Sequence, residues 1–303
     1  MSHKKLYIIG NGFDLHHKIL SEYKHFKCYL KTEDNRLANL VDDYIPVDLD
    51  EETAWSNLES ALAKIDIDHV VDSNSIFLQS YSAEYWRESD NHDFQYNISE
   101  IVNSLSTTLK NQFTNWVRQI EIPDATSALN QLSTLDIDAL YLTFNYTSTL
   151  TSVYSVPATN ILHIHGEATS DTDIVLGHAW NPIERQSLND HSDIEDQDTR
   201  VTEAYDILDQ YFSKTFKPSM KIIKKNDIFF SRLCNIKEIC VLGHSLDEVD
   251  RNYFKAVVTA INVDSTPWTI ACRKPTEMQD KRLKVRGFGV SDSLITTVLW
   301  DTL

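Results

Sequence analysis

The chain has 303 residues, 42% of them hydrophobic, which suffices for one large domain or two modest ones around a sizeable core. Against 45 Asp and Glu it sets 28 Lys and Arg, a formal charge of -17 that repels phosphate backbones and anionic membranes and excludes nonspecific nucleic-acid binding. No apolar run approaches the ~20 residues of a membrane-spanning helix, no secretory leader is legible, and four scattered cysteines without a C-x-x-C pair indicate neither a zinc ribbon nor a disulfide framework, so the chain reads as cytoplasmic.

In chain order, "KKLYIIGNGFDLHHKILSEYKHFKCYL" predicts strand, tight turn and helix. Leu6 to Ile9 are apolar, and Leu15, Ile19, Tyr23, Phe26 and Leu30 follow at helical spacing. From Ala54 to Ile120 the pattern stays helical. Trp55, Leu58, Leu62 and Ile65 form one stripe, and Ile101, Val102, Leu105, Leu109, Phe113, Trp116, Val117 and Ile120 a longer one. After Pro123 come short apolar strands that end in small or polar residues: "ALYLTFNYT", "NILHIHG", "DIVLGHA", "EICVLGHSL" and "PWTIACR". Between Asn181 and Asn235 the acidic run "NDHSDIEDQD" reads as a solvated loop, followed by helical "AYDILDQYFSKTF". This rhythm predicts an α/β fold, with a Rossmann-like, mostly parallel sheet flanked by helices. It is expected to form a single domain over residues 1–303, with helical insertions at about 50–120 and 181–235.

Four stretches carry candidate chemistry. In "IIGNGFD" a glycine pair ends the opening strand and lets backbone approach a phosphate. His16 stands near the place of the third glycine of G-x-G-x-x-G, so an ordinary dehydrogenase fingerprint is not met, and a plain left-handed turn with Asp14 at a helix start is the competing reading. "LTFNYT" delivers Asn145 at a strand end, to hold a ribose or a water, or else to satisfy its own turn. In "HIHG" strand alternation puts His163 and His165 on one face. With His178 and His244 they match no zinc spacing, so no metal is expected and His165 is the economical general base. "VLGHSL" lacks the last glycine of a nucleophile elbow, which is Asp247 here, and no histidine follows His244. It reads as a ligand-facing loop, with Ser245 or Asp247 available to cap a helix.

"LYIIGNGFDLHHKI", "FNYTSTL", "LHIHGE", "IVLGHA" and "VLGHSLDEVDRNYF", in this order, resemble the bacteriophage abortive infection AbiH family over nearly the full chain. More distantly the series is similar to the sirtuin-like NAD-consuming fold. That second resemblance implies that Gly10, Asn11, Gly12, Phe13 and Asp14 form a diphosphate loop. It places Thr143, Asn145 and Thr147 on the pattern T-Q-N-I-D, His165 with Gly166 on the catalytic H-G pair, and Gly243, His244, Ser245 and Leu246 on the adenosine-side loop. Thr147 replaces an aspartate of that pattern, Asp14 stands where serine is usual, and the zinc module is missing, so cleavage of NAD fits better than deacylation. The two resemblances together imply a phage-defence NAD glycohydrolase that breaks the nicotinamide–ribose bond with Asn145 and His165. A protein partner or self-assembly would hold it silent. The alternatives are a non-catalytic nucleotide-binding sensor, and a hydrolase dependent on metal through His163 and His165 or on Ser245.

Overall fold

Runs of branched and aromatic residues form six strands: β1 (Lys5–Ile9), β2 (Leu140–Thr143), β3 (Ile161–His163), β4 (Glu238–Leu242), β5 (Trp268–Cys272) and β6 (Ile295–Leu299). In this computed structural model, which describes residues 3–78, 92–169, 173–190 and 198–303, they pair entirely in parallel in the order β3-β2-β1-β4-β5-β6. The order reverses between β1 and β4, and at such a switch point the loops leaving neighbouring strands part to opposite sides. Ile9, the last residue of β1, stands opposite Thr143 on one side and Leu242 on the other, and Thr143 stands opposite His163. The carboxyl ends of four adjacent strands are therefore level.

Side chains alternate across this sheet, and both faces are buried, which is why the central strands read as unbroken apolar runs. Leu6 and Ile8 join Leu140, Leu142, Ile239 and Val241 in one core. Tyr7 and Ile9 join Tyr141, Leu242 and Trp300 in the other. The edge strands depart from the pattern. β3 has only three residues, and β6, with the half-exposed sequence ITTVL, went unlisted among the strands expected from sequence.

The chain divides into two compact units, each discontinuous in sequence. Met1–Glu22, Trp116–Val175 and Pro218–Leu303 make the sheet-bearing unit; Tyr23–Asn115 and Leu176–Lys217 make the other. In the second unit the described elements are helical. Phe26 packs edge-on against both Trp55 (5.8 Å between ring centres) and Phe113 (5.2 Å), and the buried Trp55 indole donates to Asp42 at 2.7 Å. Asp198 caps Thr199–Lys214 by accepting from the Arg200 N–H, and Gln95 on Asp93–Asn103 donates to Glu203 at 2.8 Å.

Two expected elements take another form. The helix that the spacing of Leu15, Ile19 and Tyr23 predicts is interrupted: Gly12–His16 stops, Lys18 turns left-handed at φ 64°, and Tyr23–Glu33 begins anew. "DIVLGHA" forms no strand. Ile174 is buried, but the Val175 N–H goes to the His165 carbonyl at 2.8 Å, and His178 makes only an isolated bridge with Phe216. Side-chain burial makes the run apolar without any ladder. Most of the acidic run, residues 191–197, lies outside the described residues. No helix among the described residues is long and apolar enough to cross a membrane.

Candidate functional site

At the switch point the loops after β1 and β4 meet backbone to backbone. Gly10 donates to the Leu242 carbonyl at 3.0 Å, Gly12 to the Gly243 carbonyl at 2.8 Å, and Phe13 back to the Gly10 carbonyl at 2.9 Å. A Cβ on Gly10 would stand 2.6 Å from His244 Cα, and one on Gly12 would stand 2.8 Å from Gly243 Cα, so glycine is needed here for loop-on-loop packing. The three N–H groups that a diphosphate would use are engaged within the protein. Asn11 is exposed and tied to Ser21, donating to its carbonyl at 2.9 Å and accepting from its hydroxyl at 2.6 Å. Phe13 turns into the core against His17 and Tyr154.

Asp14 lies inside, only 1% exposed. Its carboxylate accepts from the Thr147 hydroxyl at 2.6 Å and the Thr149 hydroxyl at 2.8 Å. Asn145, 6% exposed, anchors its own N–H on the Thr143 hydroxyl at 3.1 Å. Its side-chain nitrogen is buried and makes no hydrogen bond of good geometry, although it faces Asp14 closely enough to favour the charged carboxylate. Burial pushes the Asp14 carboxyl up from 3.8 to about 6, against the opposing pull of Thr147, Thr149 and Asn145. A folded-state pKa raised in this way favours the protonated form. The stability it contributes is complete below about pH 4 and is lost as pH rises through about 6, amounting to about 3 kcal/mol by pH 8. Asp14→Asn, uncharged throughout, should remove that loss. In denaturant unfolding at about pH 4.5 and 8, the variant gains on the wild type at the higher pH. An equal difference at both pH values would disprove the shift.

The other half of the site is built on histidine. His165, just past β3 and 2% exposed, has its Nε2 3.6 Å from Asp250 Oδ1, an ion-pair separation rather than a hydrogen bond. Asp250 Oδ2 lies 3.5 Å from His244 Nε2. Because the Leu246 N–H donates to His244 Nδ1 at 2.8 Å, a neutral His244 carries its proton on Nε2, toward Asp250. Phe144 meets both rings edge-on, at 5.3 Å from His165 and 4.3 Å from His244, and Tyr253 stands 5.4 Å from His165.

His163 diverges from His165. It donates from Nδ1 to the Asn145 carbonyl at 3.0 Å and turns Nε2 toward Glu167 at 3.8 Å, and burial lowers its pKa. Strand alternation fails to pair the two because β3 ends at His163. Among the described residues no three His, Cys, Asp or Glu side chains form a metal-binding group. Gly166 (φ +92°) fits tightly beneath the Asp173 carbonyl, and Leu246 is buried in the core. Ser245 is exposed. Asp247 occupies the expected cap position but makes no cap bond; it accepts from Lys284 at 2.9 Å instead.

Of the expected residues, the structure brings together Asp14 with Thr143, Asn145 and Thr147, and Gly10 and Gly12 with Gly243. His165 and His244 meet through Asp250. Sequence reasoning missed Thr149, Phe144 and Asp250. Thr149 was within reach, as it repeats Thr147 two residues on; Asp250 was not, because its return to His244 depends on how the loop curls.

A family model described as bacteriophage abortive infection AbiH matches residues 6–272, most of the chain. No curated protein matches it.

Proposed function

The chain belongs to the bacteriophage abortive infection AbiH family, which gives it a role in phage defence, and from that premise we propose that it acts by cleaving the nicotinamide–ribose bond of NAD. The observation that carries this reading is the buried amide nitrogen of Asn145, which stands beside Asp14 without a well-formed hydrogen bond. A donor left in that state costs roughly 1–3 kcal/mol, and a ribose hydroxyl or a water would satisfy it. A carboxyl pushed up to about 6 by burial and a buried imidazole at the same, carboxyl end of the sheet are the groups that such a reaction uses.

In the proposed reaction the sugar develops oxocarbenium character as neutral nicotinamide departs. Asn145 orients the ribose or the attacking water, and His165 takes a proton from it. The aromatic wall of Phe144 and Tyr253 keeps bulk water away from that imidazole. The fit is to the nucleoside sugar, since the N–H groups of Gly10, Gly12 and Phe13 are engaged. That same engagement favours a second reading, a nucleotide sensor without turnover, in which NAD raises the melting temperature and no product forms. An enzyme of this kind needs restraint before infection, by a protein partner or by its own assembly.

In phage-infected cells that express the chain, NAD is expected to fall as nicotinamide and ADP-ribose rise. Protection from phage with NAD unchanged would overturn the reading. Ser245→Ala should deplete NAD like the wild type, because that side chain is exposed and outside the buried cluster.

A further inference from the structure

We propose that Asp250 is a positioning residue shared by two histidines, holding His165 in its working tautomer and balancing the charge His165 gains. The inference rests on the glycohydrolase reading above. Asp250 comes from the short turn that follows the β4 loop, while His165 follows β3, so chain connectivity does not enforce their meeting. One carboxylate oxygen serves each ring, at 3.6 Å from His165 Nε2 and 3.5 Å from His244 Nε2. The Leu246 N–H fixes His244 as a neutral donor toward Asp250, so this histidine steadies the carboxylate and adds no charge to the pair.

In the reaction, the bond from the anomeric carbon to nicotinamide breaks, with its electron pair leaving on the now neutral nicotinamide. The water oxygen bonds to that carbon. One water proton passes to the His165 imidazole and then to solvent, giving ADP-ribose, nicotinamide and one proton from NAD and water. The transient imidazolium presents its Nε2–H to Asp250, which stabilises it. Among the described residues, the titratable groups facing His165 include Asp250, His244 beyond it, Tyr253 and Tyr146, while Glu167 turns to His163.

The test is Asp250→Asn, read in two ways on the full chain. By nuclear magnetic resonance, the His165 ring titrates about one pH unit lower than in wild type, because the carboxylate that favours its charged form is gone. With NAD, kcat falls roughly tenfold to a hundredfold with KM little changed, and the limb of the pH profile that rises with loss of the His165 proton moves to lower pH. Asp250→Glu, which keeps a carboxylate, restores the wild-type limb. His244→Asn keeps an acceptor for the Leu246 N–H but withdraws a donor from Asp250, so it moves the His165 titration the opposite way, and it supplies the measurement should Asp250→Asn fail to fold. An unchanged His165 titration in Asp250→Asn, or in His244→Asn where that stands in, overturns the proposal. Failure of the parent reading looks different: the titration shifts as described while wild type leaves NAD intact.

Discussion

Gly243→Ala should cost more than about 4 kcal/mol and leave little folded protein. Gly243 sits at φ +72°, where a side chain adds roughly 1–2 kcal/mol of strain. The larger part comes from space: its Cβ would lie 2.2 Å from the Phe13 nitrogen and 2.5 Å from the Gly12 carbonyl carbon. Neither is the tip of a flexible side chain, so the β1 and β4 loops would have to separate and break the bond from Gly12 to Gly243. Gly289→Ala isolates the smaller term, since Gly289 has φ +107° with nothing within 4 Å of a built Cβ. Denaturant unfolding of the two variants should show Gly289→Ala losing only the conformational part. Equal losses would mean that loop-on-loop packing contributes nothing.

Asn145→Ala should reduce NAD cleavage at least a hundredfold, and His165→Ala roughly 10²–10⁴-fold, the range for losing a positioned proton acceptor. The two should differ in stability. Removing the Asn145 amide eliminates a buried donor that lacks a well-formed hydrogen bond, a gain of up to roughly 1–3 kcal/mol set against the small void that remains and the lost pull on the Asp14 carboxylate. Activity therefore falls while stability holds or rises, the signature of a group kept for its ligand. Loss of folding with full turnover in the remaining folded fraction would make Asn145 a structural residue and remove the main support for the enzyme. Product analysis and unfolding on the same preparations decide it.

The central strands were legible because both their faces are buried, which leaves Leu6 to Ile9, Leu140 to Leu142 and Val241 to Leu242 without polar interruption. The same logic misled at "DIVLGHA", where burial came without pairing, and missed β6, an edge strand whose apolar run is interrupted by Thr296 and Thr297. In the site, Asp14, Asn145, His165 and Gly243 stood out as polar or glycine residues ending apolar runs. What they touch was not legible, since a strand end fixes where a loop begins and not where it returns. The glycines show this most clearly: the pair that ends the opening strand pointed to a close approach, but the approaching group is another backbone.

The discontinuous build of the sheet has a consequence for synthesis on the ribosome. β1, central in the sheet, is made first, yet its neighbours are β2, more than a hundred residues on, and β4, which begins at Glu238. Such distant pairing delays closure until β4 has been made, and Gly243, His244 and Asp250 emerge only after it. A nascent chain that has not yet reached β4 therefore lacks the groups that complete the cluster around His165.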